Sequence, residues 1–103
     1  MGVGKIAAQV AHASLMACEK ARIKKKEWFF SWFEFGQAKI VLKVNSFEEI
    51  IDLRNHAENL DLPVAQVMDS GYTQIPHGTT TCLGIGPGPV ALIDKVTHNL
   101  KLL

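Results

Sequence analysis

A chain of 103 residues has room for one domain, and 48% hydrophobic residues suffice for a core of modest size. Its longest apolar runs, such as Ile40 to Leu42, fall far short of the roughly 20 residues a membrane helix needs, and no basic-then-apolar leader opens the chain, so a cytosolic protein with no membrane partner is expected. The formal net charge of +1 hides an uneven layout: Lys20, Arg22, Lys24, Lys25 and Lys26 crowd one stretch, and Glu48, Glu49, Asp52, Glu58 and Asp61 another.

From Val3 to about Arg22 the sequence is rich in alanine and free of proline, and Ile6, Val10, Ala13 and Ala17 recur at helical spacing, which predicts a helix. Cys18 within it and Cys82 downstream form no C-x-x-C pair, so they read as free thiols rather than a disulfide or a zinc site. Past the basic stretch, EWFFSWFEFG predicts a second helix with Gly36 as its C-terminal stop. Its stripe of Trp28, Phe29, Trp32 and Phe33 suits core or dimer packing, and a surface for stacking bases is the alternative. AKIVLKV alternates and carries β-branched residues, as a strand does. Ser46 and Glu49 form a capping box for a helix that Ile50, Leu53, Ala57 and Leu60 anchor. LPVAQVM predicts a strand, taken as parallel to its neighbours, and TTTCLGIG another after a polar loop. Pro89 then opens a short helix, VALIDKVT. Helices alternating with strands predict an α/β sandwich.

Two glycine clusters invite a nucleotide reading, and both fail it. A phosphate-binding loop needs G-x-x-x-x-G-K-[ST], but no residue exists five positions before Gly4 and Ile6 follows Lys5. GIGPGP at 84–89 has Pro89 where a dinucleotide fingerprint requires glycine. What survives is a polar strip: at about 100° per residue, Lys5, Gln9 and His12 fall within roughly 60° of each other on the first helix. A solvated face would look the same, although a cation in a first helical turn opposes the macrodipole. The second constellation is DSGYTQIPHGTTT, in which Asp69 ends a strand, where ligand sites of α/β proteins gather, and Thr73, Thr79, Thr80 and Thr81 supply hydroxyls. An Asx-type turn leading into a threonine-rich strand explains the same residues.

Taken together, GKIAAQVAHA, GQAKIVLKV, DSGYTQIPHGTTTCLGIGP and LIDKVTHNLKLL resemble the peptidyl-tRNA hydrolase II family, the archaeal and eukaryotic type, in order and across essentially the whole chain. The resemblance implies a three-layer α/β/α sandwich with a small mixed sheet, forming one domain over residues 1–103. It implies hydrolysis of the ester joining a peptide to the 3′ ribose of tRNA, by a site using neither metal nor cofactor, and commonly a homodimer. Carried over by position, the family's functional lysine and glutamine match Lys5 and Gln9, its aspartate matches Asp69, its threonines match Thr73 and Thr81, and the histidine of its helix signature matches His12.

The resemblance also implies a central strand directly before the first helix, for which Met1 leaves no room, so either the chain is truncated or a partner supplies the pairing. Tyr72 stands where the family often has arginine, and His98 and Asn99 replace a glycine-containing turn. In the mechanism this implies, Lys5 neutralises the charge on the carbonyl oxygen, Asp69 holds Lys5 and orients water, Thr73 and Thr81 bind water or the ribose, and Gln9 fixes the peptide end. His12 as the base is a rival scheme. The Lys20 to Lys26 cluster would contact tRNA phosphates or form a solvated turn between helices. A non-catalytic tRNA-binding or protein-interaction module on the same fold is the competing function.

Overall fold

The computed structural model describes residues 2–68 and 80–103. In chain order it comprises α1 (Val3–Lys24), α2 (Lys26–Glu34), β1 (Leu42–Lys43), α3 (Phe47–Asn59), β2 (Val64–Met68), β3 (Thr80–Ile85), α4 (Val90–Thr97) and β4 (Lys101–Leu102). The expected α/β class holds, with the four described strands in two separate antiparallel pairs, β1 with β4 and β2 with β3.

Local chemistry accounts for several helix ends. Ser46 accepts a hydrogen bond from the Glu49 amide at 3.1 Å, so the serine half of the expected capping box forms, and Ile50 and Ala57 turn inward. Helix α2 stops where Gly36 takes φ +108°, a value that glycine tolerates without penalty. Pro89 is the residue just before α4, where its missing N–H costs nothing.

The core has two parts. Ala57, Leu62, Val64 and Val96 form one cluster, on which Trp28, Leu53 and Ile93 lie. The other is the seam between α1 and the β2–β3 hairpin, where Ala13, Ala17 and Ala21 are buried because alanine lets a helix approach a sheet closely. The aromatic stripe of α2 is split: Phe29 is buried and Trp28 meets the core, while Phe33 remains exposed, as does Phe30 beside the stripe.

Two expectations need correction. The stretch 38–44 alternates as a strand should, yet only Leu42 and Lys43 enter a ladder, opposite Leu102 and Lys101. Strand β2, expected to be parallel to its neighbours, pairs antiparallel with β3, with Ala65 opposite Gly84 and Met68 opposite Thr80. The reason is adjacency: β2 and β3 are consecutive in the chain and direct neighbours in the ladder, the arrangement that antiparallel pairing favours, and alternation of helices and strands does not encode which strands become neighbours.

Candidate active site

Helix α1 carries the polar strip. Lys5 and Gln9 are half-buried and His12 is exposed, so the three candidates share a face but differ in contact with solvent. Asp69 and Thr73 lie outside the described residues, and Thr81 stands in β3 directly before Cys82.

Two contacts fix how α1 lies on the hairpin. Near its C-terminal end Lys20 Nζ donates to the Val64 carbonyl at 2.6 Å, at the start of β2. Further back, Ala13 lies against Gly84, whose register partner is Ala65. Helix and strand therefore run in opposite directions. The Lys5 end of α1 falls on the side where β2 finishes at Met68 and β3 begins at Thr80, the two strand ends that bracket Asp69 and Thr73.

A cleft of about 620 Å³ opens beside this helix, lined by Ile6, Gln9, Val10 and Ala13 of α1 and by Cys82 to Ile85 of β3, among others. Its walls are mostly apolar. Gln9 sits where the polar strip meets it, and the Gln9 Oε1 atom is buried with no hydrogen-bond partner among the described residues. Leaving a buried carbonyl unpaired costs about 1–3 kcal/mol, which a donor from a ligand would recover. The sequence singled out Gln9 only through its place on the strip; its unpaired oxygen depends on packing that no local pattern encodes. Cys82 was read as an unremarkable thiol, yet it lines the cleft, and burial pushes its pKa up against a smaller opposing effect of the Leu83 amide.

The basic cluster is not a uniform patch. Lys20 is bound to Val64, Arg22 to Glu19, and Lys25 to Asp61 while also lying 4.8 Å over the Trp28 ring. The Arg22 hydrogen bond lowers the Glu19 carboxyl below its ordinary value. Lys24 and Lys26 are exposed and bonded to nothing among the described residues. Lys20, Lys24 and Lys25 also rim a polar hollow of about 310 Å³ with Glu58 and Asp61. The sequence pointed to no contact between Arg54 and Gln66, whose side chains meet at 2.8 Å and tie α3 to β2.

A profile of the Peptidyl-tRNA hydrolase PTH2 family matches residues 1–103. The chain belongs to that family. It is 49% identical over 100 residues to a peptidyl-tRNA hydrolase of Thermococcus onnurineus, covering 97% of this chain and 85% of the relative. It is 49% identical to one of Saccharolobus solfataricus and 50% identical to one of Sulfurisphaera tokodaii, covering this whole chain and 89% and 88% of those relatives. Among the described residues no helix is long and apolar enough to cross a membrane.

Proposed function

We infer that this chain hydrolyses the ester between peptide and tRNA in peptidyl-tRNA, with Lys5, Gln9, Asp69, Thr73, Thr81 and His12 as its working residues. Family membership over the full chain carries the activity. The reading of the site is supported by the opposed course of α1 and β2, since it puts the Lys5 end of the helix on the side that brackets residues 69–79.

In the reaction, water oxygen attacks the ester carbonyl, its proton passes to a base, and the bond from carbonyl carbon to the ribose 3′ oxygen breaks as that oxygen takes up a proton. The oxyanion that forms is the charge the site must stabilise, and the Lys5 ammonium on the half-buried face of α1 supplies the opposite charge. Gln9 holds the peptide end, its Oε1, unpaired among the described residues, accepting a donor such as a substrate amide. Thr73 and Thr81 bind the water or the terminal ribose.

Asp69 or His12 takes the proton, and pH separates them. An unperturbed carboxylate titrates near 3.9 and falls lower beside a lysine, so an Asp69 base gives kcat/KM that is flat through neutrality. An imidazole base instead gives a kcat/KM that falls as the pH drops below neutrality.

Lys24 and Lys26 lead the tRNA contact. A homodimer is part of the proposal, favoured by the exposed Phe30, Phe33 and Phe35 at and beyond α2, and the cytoplasm is where such a substrate arises.

The deciding experiment incubates the purified chain with a defined peptidyl-tRNA. Release of free peptide and intact tRNA is expected. A chain that binds the substrate and leaves its ester whole would instead be a binding module.

A further inference from the structure

Lys43 and Lys101 stand directly opposite each other where β1 pairs with β4, and both are exposed. Residues opposed in an antiparallel ladder project to the same side with their Cβ atoms about 5 Å apart, so two ammonium groups there repel each other. Neither lysine has a hydrogen bond, ion pair or ring contact among the described residues. Lys39, just ahead of β1, is by contrast engaged: it donates to the Gln37 carbonyl at 2.8 Å and lies 5.2 Å over the Trp32 ring. Glu48 and Glu49, the acids closest in sequence to Lys43, occupy the first turn of α3, where the helix dipole favours them. The opposed pair therefore weakens its own ladder until an anion comes between the two charges.

The pair lies at the same end of the molecule as Lys5. Arg54 of α3 meets Gln66 in the middle of β2 at 2.8 Å, and Ala57, further along α3, shares a core cluster with Val64 at the start of that strand. Helix α3 therefore runs opposite to β2, and its first residue, Phe47, lies toward Met68, the end at which the Lys5 end of α1 also falls. Only residues 44–46 separate Lys43 from Phe47, a reach of at most about 14 Å, and the ladder brings Lys101 with it. Lys24, by comparison, is about 28 Å from Lys5 along α1 at the usual helical rise.

We propose that Lys43 and Lys101 grip one phosphodiester in the single-stranded 3′ end of the tRNA substrate, close to the ester, while Lys24 and Lys26 meet a more distant part of the same molecule. This assignment rests on the proposed role of the Lys5 end as the reacting end. A phosphate fits because its oxygens accept from two donors at once, and lysine engages it as a point charge with no fixed orientation. Such a contact reads no base, which suits a terminus presented by many different tRNAs. Two other roles for the pair make different predictions: holding the carboxylates of a protein partner, and keeping the β4 edge from pairing with another chain.

The test measures, by fluorescence anisotropy between about 50 and 200 mM salt, the binding of a short single-stranded RNA that copies the 3′ end of tRNA to the purified chain. Lys43→Gln combined with Lys101→Gln should weaken binding at least about fivefold and reduce the steepness of its salt dependence by about 0.7, the share of one phosphate on a single strand. Arginine at both positions should keep affinity within about twofold of the parent, and Lys39→Gln, which neutralises a lysine already engaged, should also change it less than about twofold. Lys43→Glu should abolish binding yet raise the thermal unfolding temperature, because it turns the like-charged pair into an opposite one. A pair that serves only the ladder or its edge would give that thermal shift with RNA binding intact. With a peptidyl ester of the same RNA as substrate, the double glutamine variant should raise KM about fivefold and leave kcat near that of the parent. Absence of RNA binding by the parent, affinity and slope unchanged in the double glutamine variant, or an equal loss in the Lys39 variant would each overturn the proposal. Binding that follows the expected pattern without any cleavage of the ester would overturn the enzymatic reading and leave the phosphate contact standing.

Discussion

Gly84 of β3 lies so close beneath Ala13 of α1 that a Cβ built on it would sit 2.5 Å from the Ala13 carbonyl oxygen and 3.0 Å from its carbon. Backbone cannot yield as a flexible side-chain tip can, so any side chain at 84 must lift the helix from the hairpin. Gly84→Ala is expected to destabilise the chain by about 1–3 kcal/mol, the usual range for overpacking. Gly4→Ala, in the same helix with open space around its Cβ, should be neutral or stabilise by about 0.5 kcal/mol through helix propensity. Urea unfolding of both variants checks the pair. Because the lifted helix carries Lys5 and Gln9, Gly84→Ala should also lower kcat/KM, and Gly4→Ala should not.

The proposed chemistry makes Lys5 and Asp69 parts of one device. Each of Lys5→Ala and Asp69→Ala should reduce kcat/KM by at least about 100-fold, roughly 2.7 kcal/mol of transition-state stabilisation. If the carboxylate acts by holding the ammonium, the double variant should be hardly worse than the poorer single one, because groups that act as a unit lose their effect together. Single variants within about threefold of the parent would remove these residues from the mechanism, and a double variant whose losses multiply would show that they act separately. Steady-state kinetics on one peptidyl-tRNA, with folding checked by circular dichroism, is sufficient.

Burial raises the Cys82 thiol above its ordinary pKa, which sets a direction for its reactivity. At pH 8 the chain should lose this thiol to iodoacetamide more slowly than an unstructured cysteine peptide does, and the midpoint of its rate against pH should lie above about 8.5. The sign for stability follows from proton counting. Between the unfolded and folded pKa the native state holds the proton that the unfolded chain has lost, so stability declines as pH rises past about 8.5. Cys82→Ser should flatten that decline. Peptide mapping after timed alkylation and denaturation at pH 7 and 9.5 test the two halves.

How much of this was legible in the sequence depended on how local each feature is. Helix α1, the Ser46 cap and the Gly36 stop lie within a few residues of their causes, and each forms as the pattern requires. Pairing is different. The stretch 38–44 carries the alternation of a strand, but a ladder needs a neighbour, and only Leu42 and Lys43 have one among the described residues. The direction of β2 was misread because alternating helices and strands suggest a parallel sheet, whereas direction depends on which strand becomes the neighbour, here the next one in the chain. In the site, the 100° periodicity aligned Lys5, Gln9 and His12, but it could not reveal that two are half-buried and the third exposed, since that depends on the hairpin packed against them. The bond from Lys20 to Val64, which orients α1, spans 44 residues and leaves no mark in either segment.

That bond also sorts the basic cluster for its encounter with tRNA. A cation already satisfied within the protein gains little by meeting a phosphate, since the new contact must first break the old one. Lys20 holds a backbone carbonyl, Arg22 holds Glu19, and Lys25 holds Asp61, which leaves Lys24 and Lys26 as the cations of this cluster that no described residue engages. Each phosphate contact contributes about 0.7–0.9 to the slope of log affinity against log salt concentration. Lys24→Ala with Lys26→Ala should therefore reduce the steepness of that slope by about 1.5 and leave thermal stability unchanged. Lys20→Ala should do the opposite, lowering stability by freeing the Val64 carbonyl while barely altering the slope. Filter binding of tRNA between about 50 and 200 mM salt, paired with thermal unfolding, separates the two groups. Equal slopes for parent and the Lys24, Lys26 double variant would move the tRNA contact elsewhere on the molecule.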